Sequence, residues 1–136
     1  MSYESNQKNL MKAVNRLLER NMIRATAHAQ GEIVDLISRS QPTKRSGQKM
    51  RGLSPSRPGQ PPKVIAGLLR NNVSYQVKRN INGVSGFVGI RKGVADGYGL
   101  YLELGTSKME PRPYIRRVVI GDRKIILRII ATGKRI

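Results

Sequence analysis

The chain has no cysteine, which excludes disulfides and thiolate-bound metals and fits assembly in a reducing cytosol. Aromatic residues make up only 4% of its 136 positions and hydrophobic residues 38%, a lean supply for a core. One domain over residues 1–136 is therefore expected, part of it ordering only against partners. No apolar run comes near the ~20 residues that a membrane helix requires. The opening MSYESNQKNL lacks the basic-then-apolar layout of a signal peptide, so a soluble intracellular product is expected.

Material for catalysis is equally scarce. The single histidine, His28, lies near a helical apolar stripe, where such a residue is far more often structural than catalytic. The eight carboxylates are scattered, with no Asp/Glu pair or His/Asp cluster at metal-ligand spacing. The serines have no base nearby, and Gly83, Gly86 and Gly89 do not lead into a helix as a phosphate-cradling loop would. The expectation is a protein with no catalytic residues, no metal and no cofactor.

The most informative absence is that of acid in the middle of the chain. The formal net charge is +18, yet residues 1–38 contribute only +1 and residues 96–136 +5. Residues 39–95 hold twelve Lys/Arg and no carboxylate over fifty-seven positions. A one-sign segment of that length repels itself unless something anionic lies opposite, and solubility alone would not require it. Nucleic-acid phosphate or an acidic protein surface is the expected counterpart.

What is present divides the chain into four parts. Met11, Val14, Leu18, Met22, Ala25, Ala29, Ile33 and Leu36 step by three or four, predicting one long N-terminal helix, with Gly31 the place for a kink or break. Residues 38–63 have no hydrophobic period. Pro42, Pro55, Pro58, Pro61 and Pro62 exclude helix and central strand there. Lys44, Arg45, Lys49, Arg51, Arg57 and Lys63 make residues 39–63 an extended basic arm, facing DNA phosphate non-specifically or an acidic neighbouring subunit. Val64 to Asn71 reads as a short helix with Leu68 and Leu69 inward.

From Asn72 the period becomes two. Val73, Tyr75 and Val77 form one alternating run and Val84, Gly86, Val88 and Ile90 another, with Asn82-Gly83 between them as a hairpin signal. Leu100, Leu102 and Leu104 suit either a third strand or a short helix. At the C-terminus Ile115, Val118, Val119, Ile125, Ile126, Ile129 and Ile130 sit at helical spacing. The run is also rich in β-branched residues, and Gly121-Asp122 could equally close a hairpin. Pro113 just before it suits the first turn of a helix, which is the expectation taken. The predicted class is α+β: a long N-terminal helix and a C-terminal helix packed on a small, mostly antiparallel sheet, with a long basic loop.

Tyr98 to Ile115, YGLYLELGTSKMEPRPYI, sets an aromatic-apolar strip and the lone acid Glu103 before a Gly-Thr turn and a rigid Pro-Arg-Pro. Glu103 needs a partner, for which Arg70 or Arg112 is the natural candidate, in a pairing that locks the following loop to the domain. Gly105 suits a positive-φ turn and Thr106 a local side-chain-to-backbone bond.

Together with Pro58-Gly59-Gln60-Pro61-Pro62 and Gly67-Leu68-Leu69-Arg70, the block Tyr101, Glu103, Gly105, Thr106 … Arg112-Pro113-Tyr114 resembles the neck and tail-completion (head–tail joining) family of long-tailed double-stranded DNA bacteriophages. Order and spacing of the three blocks match over roughly residues 58 to 120. The resemblance implies a C-terminal helix and a structural virion protein of the neck, assembled in the host cytoplasm. It further implies a homo-oligomeric ring joining the DNA-filled head, at its connector, to the tail. The implied partners are other copies of the chain, head-closure and tail-terminator or tail proteins, and double-stranded DNA in the lumen. The strongly basic residues 39–95 and the Gly121-Asp122 interruption depart from the family pattern. The other reading of the charge is a stand-alone basic nucleic-acid-binding module.

Overall fold

The computed structural model describes residues 2–39, 59, 68–93, 96–108 and 110–135. The fold is α+β. Helix α1 (Tyr3–Arg39) is followed by the short α2 (Leu68–Asn71), the strands β1 (Val73–Asn80) and β2 (Gly83–Ile90), and then α3 (Asp96–Leu104), α4 (Ile115–Gly121) and α5 (Arg123–Thr132). The two strands form one antiparallel sheet, and α1 packs against both strands and against α5.

Helix α1 runs unbroken through Gly31, an exposed position where a Cβ would meet nothing within 4 Å, so nothing there forces the allowed kink. The predicted stripe is buried along only part of its length. Ala25, Ala29, Ile33 and Ile37 are covered, Ile37 rather than the half-buried Leu36 ending the row. Met11, Val14 and Leu18 are 58%, 41% and 40% exposed, because the sheet and α5 reach only the second half of the helix. Small side chains allow close approach in that second half. A Cβ on Gly86 of β2 would collide with Thr26 Cγ2 and Met22 Sδ of α1, so glycine lets the strand backbone lie directly on the helix.

The hairpin pairs Val73 with Ile90, Tyr75 with Val88 and Val77 with Gly86 on the face turned to α1. Phe87 stands on the opposite face, where Lys78 Nζ lies 5.7 Å from its ring centre. The turn is one residue earlier than predicted. Asn80 pairs with Gly83, leaving Ile81 and Asn82 as the loop, and the Asn82 N–H donates to Asn80 Oδ1 at 2.9 Å. No non-glycine described residue has positive φ, so this turn is shaped by the Asn80 side chain and not by an Asn-Gly pair in the left-handed region.

Leu100, Leu102 and Leu104 belong to helix α3, which decides between the two alternatives. Their period-two spacing misleads, since only Leu102 is buried. The C-terminal piece is helical as expected, but as two helices. Asp122 joins them: its N–H donates to Val118 O at 2.8 Å and its carbonyl accepts the Ile126 N–H at 2.9 Å. The core gathers Ile33, Ile37, Leu69, Val73, Leu102, Tyr114 and Val118, from α1, α2, β1, α3 and the start of α4, with Val88 and Ile90 of β2 packed against it.

Candidate functional site

The C-terminal half of α3 and the start of α4 meet at Glu103. Its Oε2 accepts the backbone N–H of Tyr114 at 2.8 Å and of Ile115 at 3.0 Å, and its Oε1 accepts that of Arg116 at 2.9 Å. Helix α4 begins at Tyr114 with no side-chain cap of its own, so a carboxylate from another helix satisfies its first donors and sits at the positive end of its dipole. The cation beside Glu103 is Arg116, with Nε 3.7 Å from Oε1 and a further hydrogen bond from its guanidinium to the Glu103 carbonyl at 3.1 Å. This corrects the expected pairing with Arg70 or Arg112. Arg70 Nε lies 3.5 Å from Asn71 Oδ1, and the Arg112 backbone N–H donates to Leu102 O at 2.6 Å. The lock on the Gly105–Pro113 loop is real in geometry, but backbone donors supply most of it.

Tyr114 closes the same locus from inside. It is fully buried, and its hydroxyl donates to the Gly99 carbonyl at 3.1 Å. Gly99 is required there, because a Cβ would stand 2.8 Å from both that hydroxyl and Ile90 Cγ1. Burial pushes the Tyr114 phenol well above its ordinary value, and the nearby Glu103 carboxylate adds to the shift. The hydroxyl is therefore a donor throughout the physiological range.

The remaining predicted residues fall around this point. Gly105 has φ 77° and its N–H ends α3 on the Tyr101 carbonyl at 2.8 Å, while Thr106 Oγ1 accepts the Lys108 N–H at 3.3 Å. Pro113 is half-buried, Leu69 lies in the core, and Tyr101 projects into solvent. Gly59, at φ 78°, donates its N–H to Pro111 O at 3.0 Å. Residues from all three sequence blocks thus converge on one place. Pro61, Pro62, Gly67 and the arm residues Lys44, Arg45, Lys49, Arg51, Arg57 and Lys63 lie outside the described residues.

No family model matches this chain, and neither does any curated protein or solved structure. The geometry of the site is then what bears on function. Glu103 is committed to backbone donors and Tyr114 to packing, so neither is poised to transfer a proton to a substrate.

Sequence reasoning missed a second cluster. His28 Nε2 lies 3.0 Å from Asp122 Oδ2, joining α1 to the α4–α5 junction across 94 positions. Glu32, one turn after His28, faces Arg135 at 3.6 Å and Arg39 at 3.9 Å. Among the described residues His28, Glu32 and Asp122 bring one ligand-type atom each within 4.8 Å of one another. Two arginines already balance Glu32, which favours an ion-pair cluster tying three elements together over a cation site. The i, i+4 spacing of His28 and Glu32 was the available signal, but nothing local marked Asp122 as the third member.

Proposed function

We propose that this chain is a structural protein of a bacteriophage neck, forming a ring of identical subunits that joins the DNA-filled head to the tail and lets DNA pass. One observation carries the reading. Among the described residues, Gly59 of the first block, Leu69 of the second, and Glu103 and Tyr114 of the third, in blocks that resemble the neck and tail-completion family, lie around the Glu103 cap, the buried Tyr114 and the Gly59–Pro111 hydrogen bond. A block used for catalysis would hold groups free to react. Here the acid, the turn glycine and the buried tyrosine all serve to fix a loop and start a helix, as expected of a rigid docking surface. No described helix is long and apolar enough to cross a membrane, in keeping with partners that are protein and DNA.

In this reading the work is structural and not enzymatic, needs no cofactor, and takes place in the virion after assembly in the host cytoplasm. Other copies of the chain, head-closure or connector proteins and tail-terminator or tail proteins are its neighbours. The basic arm docks on an acidic neighbour with incidental, non-specific DNA contact.

The net charge of +18 favours a second reading, a stand-alone basic nucleic-acid-binding module. That alternative gives no reason for the Gly-Thr…Arg-Pro-Tyr block. Electron microscopy of the purified full chain separates the two: rings support the neck reading, and monodisperse monomers that shift DNA support the module.

A further inference from the structure

The net charge of +1 over residues 1–38 hides an uneven helix. Residues 8–24 carry Lys8, Lys12, Arg16, Arg20 and Arg24 against Glu19 alone, a net +4. Two of the four acids of α1 are taken by other elements or by its own last turn: Glu19 faces Arg79 of β1 at 3.7 Å, and Glu32 faces Arg39 and Arg135. Arg24 donates to the Gly133 carbonyl at 3.1 Å. Lys8, Lys12, Arg16 and Arg20 are exposed, and among the described residues none of them forms an ion pair. Like charges four apart cost a helix stability, so the row gains from an anionic surface opposite.

The two sides of this half of α1 differ in kind. Leu10, Met11, Val14, Leu17 and Leu18, which are 40% to 64% exposed, make one strip. The row Lys8, Lys12, Arg16 and Arg20 centres about half a turn round the helix from it. Asn9 and Ala13 share the basic side, and no aromatic residue does. From Lys8 to Arg20 the row climbs about 18 Å, long enough to meet several phosphates of a duplex strand.

We infer that the basic side of α1, at Lys8, Lys12, Arg16 and Arg20, is a binding surface for the phosphate backbone of double-stranded DNA. Three features select that partner. A protein neighbour buries an apolar centre and excludes charge from it, so on this helix it has the opposite strip to cover. Protein–DNA interfaces are the positively charged class, and asparagine adds phosphate contacts to those of lysine and arginine. A single strand would want aromatic rings to stack its bases, and the basic side has none. Contact is then with backbone and carries no sequence preference. The surface stands whether the chain sits in a ring or alone, and it leaves the arm of residues 39–63 to a protein neighbour.

The test follows binding of the full chain to a random-sequence DNA duplex by fluorescence anisotropy across a salt series. Lys12→Gln, Arg16→Gln and Arg20→Gln together place good helix formers at exposed positions, so circular dichroism should not change. The salt slope should flatten by about three units, roughly one for each phosphate no longer neutralised. A charge-matched variant, Arg117→Gln with Arg123→Gln and Lys124→Gln, removes three exposed cations from α4 and α5 and should stay within about one unit of the wild-type slope. Equal flattening by both variants would mean that total charge and not this row sets binding, which overturns the inference. So would a wild-type slope in the α1 variant, or a wild-type chain that leaves the duplex unbound. Loss of self-association by the α1 variant with its DNA slope intact would assign the row to an acidic protein surface instead. Rings in the electron microscope together with a wild-type slope in that variant would sink the α1 surface and leave the neck reading standing.

Discussion

Glu103 and Tyr114 hold one another in place through the backbone: the carboxylate accepts the Tyr114 N–H at 2.8 Å, while the Tyr114 ring fills the core beneath α3 and donates its hydroxyl to Gly99 at 3.1 Å. The helix that supplies the cap is thereby gripped by the residue it caps.

Removing the cap leaves the first N–H groups of α4 without their acceptor and Arg116 without its carboxylate. Glu103→Ala should lower stability by about 1–3 kcal/mol, with Glu103→Gln in between because the amide oxygen still accepts one bond. Urea denaturation measures it; a Glu103→Ala midpoint equal to wild type would mean that the cap adds nothing to stability.

Tyr114 gives the alkaline limit. Its phenol titrates near 10.0 when unfolded and higher when folded, so its contribution is complete below pH 10 and is lost as the pH rises above that. Stability followed from pH 9 upward should therefore fall more steeply in wild type than in Tyr114→Phe, by up to about 1.4 kcal/mol per pH unit. Parallel curves for the two proteins would contradict a buried, protonated hydroxyl.

The sequence marks His28 as structural, and the fold shows what it holds: the α4–α5 junction, through Asp122. His28→Ala removes a side chain only 6% exposed together with its bond to Asp122, and should cost about 1–3 kcal/mol. Hydrogen exchange should show the weakening first at the α4–α5 junction. Unchanged protection there would mean that the pair is incidental.

The basic arm is tested by salt. Replacing Lys44, Arg45, Lys49 and Arg51 with Gln should flatten the salt dependence of DNA binding by roughly one unit for each phosphate no longer neutralised. If the arm docks on an acidic neighbour, the same protein should fail to join heads to tails while still binding DNA weakly. Normal joining by the quadruple variant would refute the docking role.

The fold class was legible because two periods are written plainly: three-to-four along residues 11–36 and two along 73–90. Where the signal stopped, the reasons are physical. The stripe of α1 told which side is apolar but not that the domain would cover only residues 21–37, since coverage depends on elements far away in sequence. Leu100, Leu102 and Leu104 imitate a strand because a nine-residue helix shows too few turns to establish its own period. At the site, Glu103 was recognised as needing a partner, yet the partner was misassigned. Sequence reasoning looks for a cation, whereas the donors were N–H groups exposed only once α4 begins at Tyr114. The His28–Asp122 contact joins residues 94 apart, and no local pattern encodes it.

Head–tail joining in vitro tests the central claim most directly. Filled heads and free tails from an infection lacking this protein would be mixed with the purified full chain and counted by electron microscopy. A neck protein predicts joined particles carrying a ring at the junction, in proportion to added protein. Heads and tails that stay apart, or that join equally well without the chain, would contradict it.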